Sequence, residues 1–196
     1  MANNASNVSV GKPAIAGAIW VAPLGTTLPN DATTAIDSAK YTCLGYVSED
    51  GLTNSNSPES DSIKAWGGDT VLSILTGKED TFKFTLIEAL NVDVLKFVYG
   101  SANVSGTVQT GITIQVNSTD VPACVIAIDM LFTGNVAKRI VLPSAKITEV
   151  GDIVYTDGDA VGYETTVTCT PDSYGNTHYE YIKEIAGATG ATGATS

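Results

Sequence analysis

The chain has 196 residues, of which 43% are hydrophobic and 16% are charged, and its formal net charge is −11. This length fits one domain with short appendages, and the apolar content is sufficient for a packed core. The acidic balance argues against a protein that grips nucleic acid, because such binding needs Lys and Arg on the phosphates. The sequence has neither a secretory signal nor an apolar run of membrane-spanning length, so we expect a soluble protein made without export.

The beginning of the chain predicts two strands separated by a long loop. Residues 1–13 are polar and are expected to form a flexible N-terminal arm. Apolar residues over 14–21 and 41–48 predict the two strands, and the segment 23–38, rich in Pro, Thr, Asn and Asp, predicts the loop.

The segment 49–68 differs in composition, because it is polar and lacks the periodicity of a strand or a helix. It reads EDGLTNSNSPESDSIKAWGG, and its one large aromatic residue, Trp66, follows Ile63 near its end. A loop of this length inside a compact domain is uncommon and is usually functional or disordered. We therefore predict a long functional loop, with an ordinary surface loop as the alternative.

The next stretch predicts a hairpin that leads into a central strand. A strand is expected over 70–75 and a turn over 76–79. Over 80–88, the apolar side chains Phe82 and Phe84 alternate with polar ones, and this period of two is typical of a half-buried strand.

A single helix is predicted directly after this strand, over 92–99. Asn91 precedes it and can accept a hydrogen bond from the first turn through its side-chain oxygen. The helix is too short to be stable alone and is apolar on most sides, so it must be covered by other surfaces. We expect Leu95 and Val98 to pack against Phe84.

The second half of the chain predicts mainly strands. In chain order they cover 111–116, 123–132, 136–142, 146–150 and 161–170. Gly134 and Asn135 predict a tight two-residue hairpin turn, and Pro143 is expected to end the strand that follows it. The segment 179–185 fits either a strand or a helix, and 187–196 reads as a flexible tail of Gly-Ala-Thr repeats.

Together these elements predict a mainly β fold of about nine strands and one helix. The expected architecture is a β-sandwich or partly open barrel with one flanking α-helix. It would occupy residues 14–186 as one domain.

We find no set of residues that predicts catalysis or a cofactor. His178 is the only histidine, lies outside any Ser/His/Asp arrangement, and is expected at the surface. Cys43, Cys124 and Cys169 lack the spacing of a zinc site and are expected to be buried and reduced. The sequence therefore predicts a protein that is not an enzyme and needs neither a metal nor a cofactor.

Three stretches carry a resemblance to a known family. They are a strand that ends in TLIE and leads to a helix that ends in VYG, the loop EDGLTNSNSPESDSIKAWGGD before it, and the closing VGDIVYTDGDAVGYETTVTCTPDSYGNTHYEYI. Over 14–185 the chain resembles the major tail-tube proteins of long-tailed bacteriophages. The resemblance implies a β-sandwich flanked by a helix, whose copies close into hexameric rings that stack into a DNA-conducting tube. It brings no catalytic residues.

The same resemblance implies the partners and the location. The partners would be other copies of the chain and the tape measure, terminator and baseplate proteins of the tail. The protein would belong to the virion and be assembled in the host cytoplasm, with no membrane involved. Genomic DNA would pass through the tube without specific binding.

The segment between residues 49 and 80 holds seven acidic residues and two lysines, so it supplies the candidate sites. An acidic channel wall would repel DNA rather than hold it. The candidates for the lumen are Asp69, Glu79 and Asp80. The candidates for contacts between subunits are Glu49, Asp50, Glu59, Asp61, Ile63 and Trp66, in a loop that we expect to become ordered against a neighbour.

One alternative from another class remains open at this point. A β-sandwich of this kind could be a binding module that recognises a glycan or a protein at a surface. A tube subunit should form long polymers, whereas a binding module should stay monomeric or form small closed oligomers.

Overall fold

The computed structural model describes residues 3–14 and 17–185, and within them it contains eleven strands and one α-helix. The helix, α1, is Val92–Tyr99. The strands are β1 (Gly11–Pro13), β2 (Ile19–Pro23), β3 (Thr42–Cys43), β4 (Val47–Lys64), β5 (Thr70–Leu86), β6 (Val104–Ser105), β7 (Thr113–Ile114), β8 (Cys124–Phe132), β9 (Val136–Val150), β10 (Tyr163–Cys169) and β11 (Tyr179–Glu184). None of the described helices is long and apolar enough to cross a bilayer.

Nine of the strands form one antiparallel sheet. Its main path runs β3-β2-β8-β9-β10-β5-β4, while β1 pairs with the end of β8 and β11 pairs with the beginning of β9. The strands β6 and β7 form a separate two-stranded sheet. The sheet is open, and the predicted mainly β fold with one flanking helix is confirmed.

The main core lies between one face of the sheet and α1. Phe82 and Phe84 of β5 are buried there, as their period-two spacing predicts. Leu95 and Val98 of α1 belong to the same cluster, and the ring of Phe84 stacks on that of Phe97 at 6.4 Å. The helix begins where the sequence places it, because Asn91 Oδ1 accepts a hydrogen bond from the backbone N–H of the residue two positions later, at 3.0 Å.

The opposite face of the sheet is covered by the chain between β2 and β3. Its smaller core contains Tyr41, Val125 and Ala127, with Trp20 and Ile36 packed against them. The predicted loop 23–38 therefore packs on this face of the sheet; we call the chain between β2 and β3 the covering segment.

Arg139 of β9 holds this covering segment in place. Its side chain is 4% exposed. Its Nε and Nη2 donate to the two carboxylate oxygens of Asp129 at 2.6 and 2.9 Å. Its Nη1 donates to the carbonyl oxygens of Asp31 and Thr34, each at 2.9 Å. One guanidinium thus satisfies a partly buried carboxylate and two carbonyls of the segment at once.

The prediction that Pro143 ends a strand is wrong. β9 continues through it as one strand of 15 residues. The register changes between Cys124, which is opposite Ala145, and Ile126, which is opposite Leu142, so β9 bulges at this point. A bulge leaves the ladder locally unpaired, and a residue without a backbone N–H is tolerated there.

Several shorter predictions are also corrected or resolved. The turn after β8 has three residues rather than two, although both Gly134 and Asn135 have the predicted positive φ. The ambiguous segment 179–185 is a strand over Tyr179–Glu184. Within the predicted arm 1–13, Gly11–Pro13 pairs with β8, so that part belongs to the sheet. The predicted tail 187–196 lies outside the described residues.

Candidate self-assembly site

The strands β4 and β5 form one long hairpin that extends beyond the sheet. Residues are paired from Asn54 opposite Phe82 to Lys64 opposite Thr70. The predictions of a loop over 49–68 and of a turn over 76–79 are therefore wrong. The only turn is at 65–69, where the Ala65 N–H donates to the Asp69 carbonyl at 2.7 Å.

The sequence does not predict the hairpin because both faces of its strands are exposed to solvent. β5 pairs with β10 only over 81–86, and farther out the ribbon has no third strand among the described residues. Every residue from 53 to 76 is exposed. A strand with no buried face has no reason to alternate apolar and polar side chains, so the period-two signal disappears.

The outer part of this hairpin, residues 59–75, exposes a dense group of large apolar side chains; we call it the distal hairpin. Register places Ile63 directly opposite Leu72, and Ile74 lies two positions from Leu72 on the same face. Trp66 stands fully exposed in the turn. The exposed group as a whole is Ile63, Trp66, Val71, Leu72, Ile74 and Leu75. Exposed patches of this kind mark interaction surfaces.

The sequence indicates only part of this exposed apolar group. Ile63 and Trp66 were predicted contacts, but the aliphatic residues of 70–75 were assigned to an ordinary strand. The signal was the run VLSIL at 71–75. Its four aliphatic residues do not alternate with polar ones, so a strand there must present apolar side chains on both faces.

The acidic candidates on the hairpin share one face. Glu79 is opposite Ser57, and Glu59 and Asp61 follow Ser57 at steps of two along β4. Residues predicted for the lumen and residues predicted for the subunit boundary therefore point to the same side. Asp69 lies in the turn. Glu49 and Asp50 lie apart from them, at the register shift between Val47 and Leu52.

Asp80 does not lie on this exposed surface, and its prediction as a lumen residue is wrong. Its side chain is 0% exposed. Oδ1 accepts a hydrogen bond from Asn54 Nδ2 at 2.9 Å. Oδ2 accepts from Thr177 Oγ1 at 2.5 Å and contacts His178 Nδ1 at 2.6 Å. The sequence hides this site because Thr177 and His178 are almost a hundred residues away.

The hydrogen bonds around Asp80 favour its ionised form despite its burial. Burial opposes ionisation, but the hydrogen bonds from Thr177, His178 and Asn54 outweigh it and hold the pKa of Asp80 below its usual value. His178 is 16% exposed and packs edge-on against Phe82 at 5.4 Å, so it is not the surface residue that we expected.

This network stands at a fork in the sheet. β10 is last paired with β9 at Ala145, and β11 takes over the same edge of β9 from Val141 onward. The hairpin leaves the sheet beside this exchange, and Thr177 and His178 directly precede β11. Their loop is itself held by Asp172, which accepts hydrogen bonds from the Tyr179 hydroxyl at 2.6 Å and from the backbone N–H groups of Tyr174 and Asn176. The Asp80 network thus ties the base of the hairpin to the C-terminal strand.

The arrangement does not resemble a catalytic site. Thr177 and His178 both contact the same carboxylate oxygen, so neither is placed to activate the other. Burial raises the pKa of Cys124 to about 11 and that of Cys169 to about 12, which keeps both as thiols. Among the described residues no group of His, Cys, Asp and Glu could hold a metal ion.

A family model described as phage tail tube protein matches residues 1–192. No curated protein matches the chain.

Proposed function

The chain belongs to the phage tail tube protein family, and from this premise we propose that its copies close into hexameric rings, which stack into a tube with an acidic lumen that conducts DNA. Membership makes the chain a structural subunit of the virion tail that assembles with itself and with other tail components. The proposal adds the ring, the lumen, the tape measure, terminator and baseplate proteins as partners, and assembly in the host cytoplasm.

The observation that carries the proposal is the exposed hairpin. A two-stranded ribbon is at best marginally stable alone, and free strand edges readily pair with other chains. Here both edges and the apolar side chains of the distal hairpin are uncovered within the described part of one copy. Packing on a neighbouring copy would cover them, and a closed ring would repeat that contact without leaving a free end.

The positions of the charges on the hairpin support the proposed acidic lumen. Glu79 lies near the base, whereas Glu59 and Asp61 belong to the distal hairpin together with the apolar pair Ile63 and Leu72. We assign the basal part of this face to the lumen and the distal part to the neighbouring copy. Each ring would repeat every charge, and a narrow channel concentrates the resulting field.

Replacing Leu72 and Ile74 together by aspartate is expected to abolish tube formation and to leave the subunit folded. Both side chains are exposed, so the fold loses no core contact, whereas two buried charges would disrupt a packed interface. Negative-stain microscopy and sedimentation measure assembly, and a thermal melt measures folding. The matched control is Val116→Asp with Val154→Asp, which are also exposed but lie outside the hairpin. Normal tubes from the hairpin variant would contradict the proposal, and a monomeric parent protein would favour a binding module.

Replacing Glu79 by lysine is expected to slow DNA ejection while tubes still assemble, because Glu79 lies in the basal part of the hairpin and outside the distal hairpin. Lysines on the channel wall would attract the phosphates that the acids repel. Asp152→Lys is the control, since it makes the same change of charge at an exposed residue outside the hairpin. Ejection is measured by DNA release from purified virions at several salt concentrations. Ejection at the parental rate from assembled tubes would show that Glu79 does not line the lumen.

A further inference from the structure

We infer that the distal hairpin of one copy docks into an apolar groove beside the β8–β9 turn of a second copy. This inference rests on the proposed self-assembly and names the surface that receives the hairpin. The groove has a volume of about 490 Å³. Its apolar lining includes Ala14, Trp20, Ile36, Leu131, Ala137 and Ile185.

The groove is a formed surface rather than a gap between mobile segments. Its floor is a cross-strand pair, Leu131 opposite Ala137. One wall is the segment that Arg139 holds through two backbone carbonyls. The other wall is fixed at Ile185, whose N–H donates to the Asn135 carbonyl and whose carbonyl accepts from Asn135 Nδ2, both at 2.8 Å. A surface that is ordered before binding loses little conformational entropy on binding.

Two lysines flank the floor of the groove. Lys12 is opposite Leu131 and Lys183 is opposite Ala137, so the four residues form one row across β1, β8, β9 and β11. Both lysines are exposed, and neither forms an ion pair within the described residues. The outer two strands of the row are about 14 Å apart, which leaves room for a ribbon whose own strands are about 5 Å apart.

The distal hairpin carries the complementary pattern. Ile63, Leu72 and Ile74 form an apolar centre on one face, and Asp61 and Glu59 extend from it along β4. Apolar side chains would lie on the groove floor while the carboxylates approach the flanking lysines. Charge pairs of this kind fix the orientation and register of an interface more than they raise its affinity.

A second copy must supply the hairpin, because the groove and this hairpin face lie on the same side of the sheet. Leu131 and Ala127 point away from the core face of β8, which carries Ile126 and Ile128. The hairpin face of Ile63 likewise points away from the side of Phe82. Two patches on the same side of one sheet do not face each other, so the hairpin must come from another copy. Because the hairpin and the groove are different surfaces, the contact can repeat from copy to copy around a ring.

The inference is tested by reversing charge on both sides of the contact. Lys12→Glu with Lys183→Glu is expected to raise the critical concentration for tube assembly about tenfold or more, because like charges would meet. Adding Glu59→Lys and Asp61→Lys to the same chain is expected to restore assembly. Lys96→Glu with Lys146→Glu makes the same change of charge at residues that do not line the groove and is expected to assemble normally. Thermal melts check that each variant is folded.

The outcomes separate this inference from the proposed function. Normal assembly of the Lys12 and Lys183 variant would overturn the groove as the docking surface. Loss of assembly without rescue by the hairpin lysines would show that the groove receives something other than the distal hairpin, which also overturns the inference. In both cases a block by the Leu72 and Ile74 substitutions would still support self-assembly through the hairpin.

Discussion

Replacing Arg139 by methionine is expected to lower the free energy of unfolding by about 3–5 kcal/mol, the cost of breaking a buried ion pair by removing one partner. The guanidinium is almost fully buried and bonds to both carboxylate oxygens of Asp129. Methionine fills much of the space but leaves that carboxylate and the carbonyls of Asp31 and Thr34 without their donor. The measurement is chemical denaturation of the subunit at pH 7, under conditions that prevent assembly.

Two further variants make this result specific. Arg139→Lys keeps the charge but cannot make four directed hydrogen bonds, so we expect an intermediate loss. Lys83→Met is the matched control, because its ion pair with Glu164 at 2.8 Å has both side chains about half exposed. Surface pairs of this kind contribute about 0–1 kcal/mol. Equal losses for Arg139→Met and Lys83→Met would contradict the role of Arg139 as the anchor of the covering segment.

The elements predicted correctly are those whose signals are local. The helix Val92–Tyr99 is specified by its cap and its apolar surface, and both lie within ten residues of sequence. The strand Tyr163–Cys169 alternates between buried and half-buried side chains, because one face meets the core. In both elements the spacing of the apolar side chains matches the period of the helix or strand, because those side chains are the ones buried in the core.

The hairpin formed by β4 and β5 lacks such a local signal. Over the distal half its strands pair through backbone hydrogen bonds and neither face is buried, so burial imposes no alternation on the side chains. Their composition reflects instead what the ribbon meets outside the subunit. A polar, aperiodic segment was read as a loop, although its polarity and its exposed Ile63 and Trp66 belong to a strand that one copy of the chain cannot cover.

Asp80 shows a second limit, which is distance along the chain. Asp80 was predicted to line the lumen because it lies in a segment of sequence that is rich in acidic residues. Its partners Thr177 and His178 are 97 and 98 residues away. No local pattern distinguishes a carboxylate that will be buried by such partners from one that will remain in solvent.

Replacing Asp80 by asparagine is expected to lower the free energy of unfolding by about 3 kcal/mol at pH 7. Hydrogen bonds to a charged group contribute about 1.5–3 kcal/mol each. The amide of the asparagine would also place its N–H₂ group, which can only donate, against a partner that donates to the carboxylate in the parent protein. Asp61→Asn is the control on the same hairpin, and since Asp61 is exposed we expect a change within about 0.5 kcal/mol. The measurement is chemical denaturation of both variants and the parent protein.

The dependence on pH identifies the carboxylate as the cause. Because the pKa of Asp80 is lower in the folded state than in the unfolded chain, its ionised form stabilises the fold above about pH 4. This contribution disappears as the pH falls through the lowered pKa, where the protonated acid and the asparagine become nearly equivalent. The difference in unfolding free energy between the parent and Asp80→Asn should therefore be constant near neutrality and shrink below about pH 4. A difference that stays constant down to pH 2 would show that the hydrogen bonds to the ionised carboxylate do not stabilise the fork at the base of the hairpin.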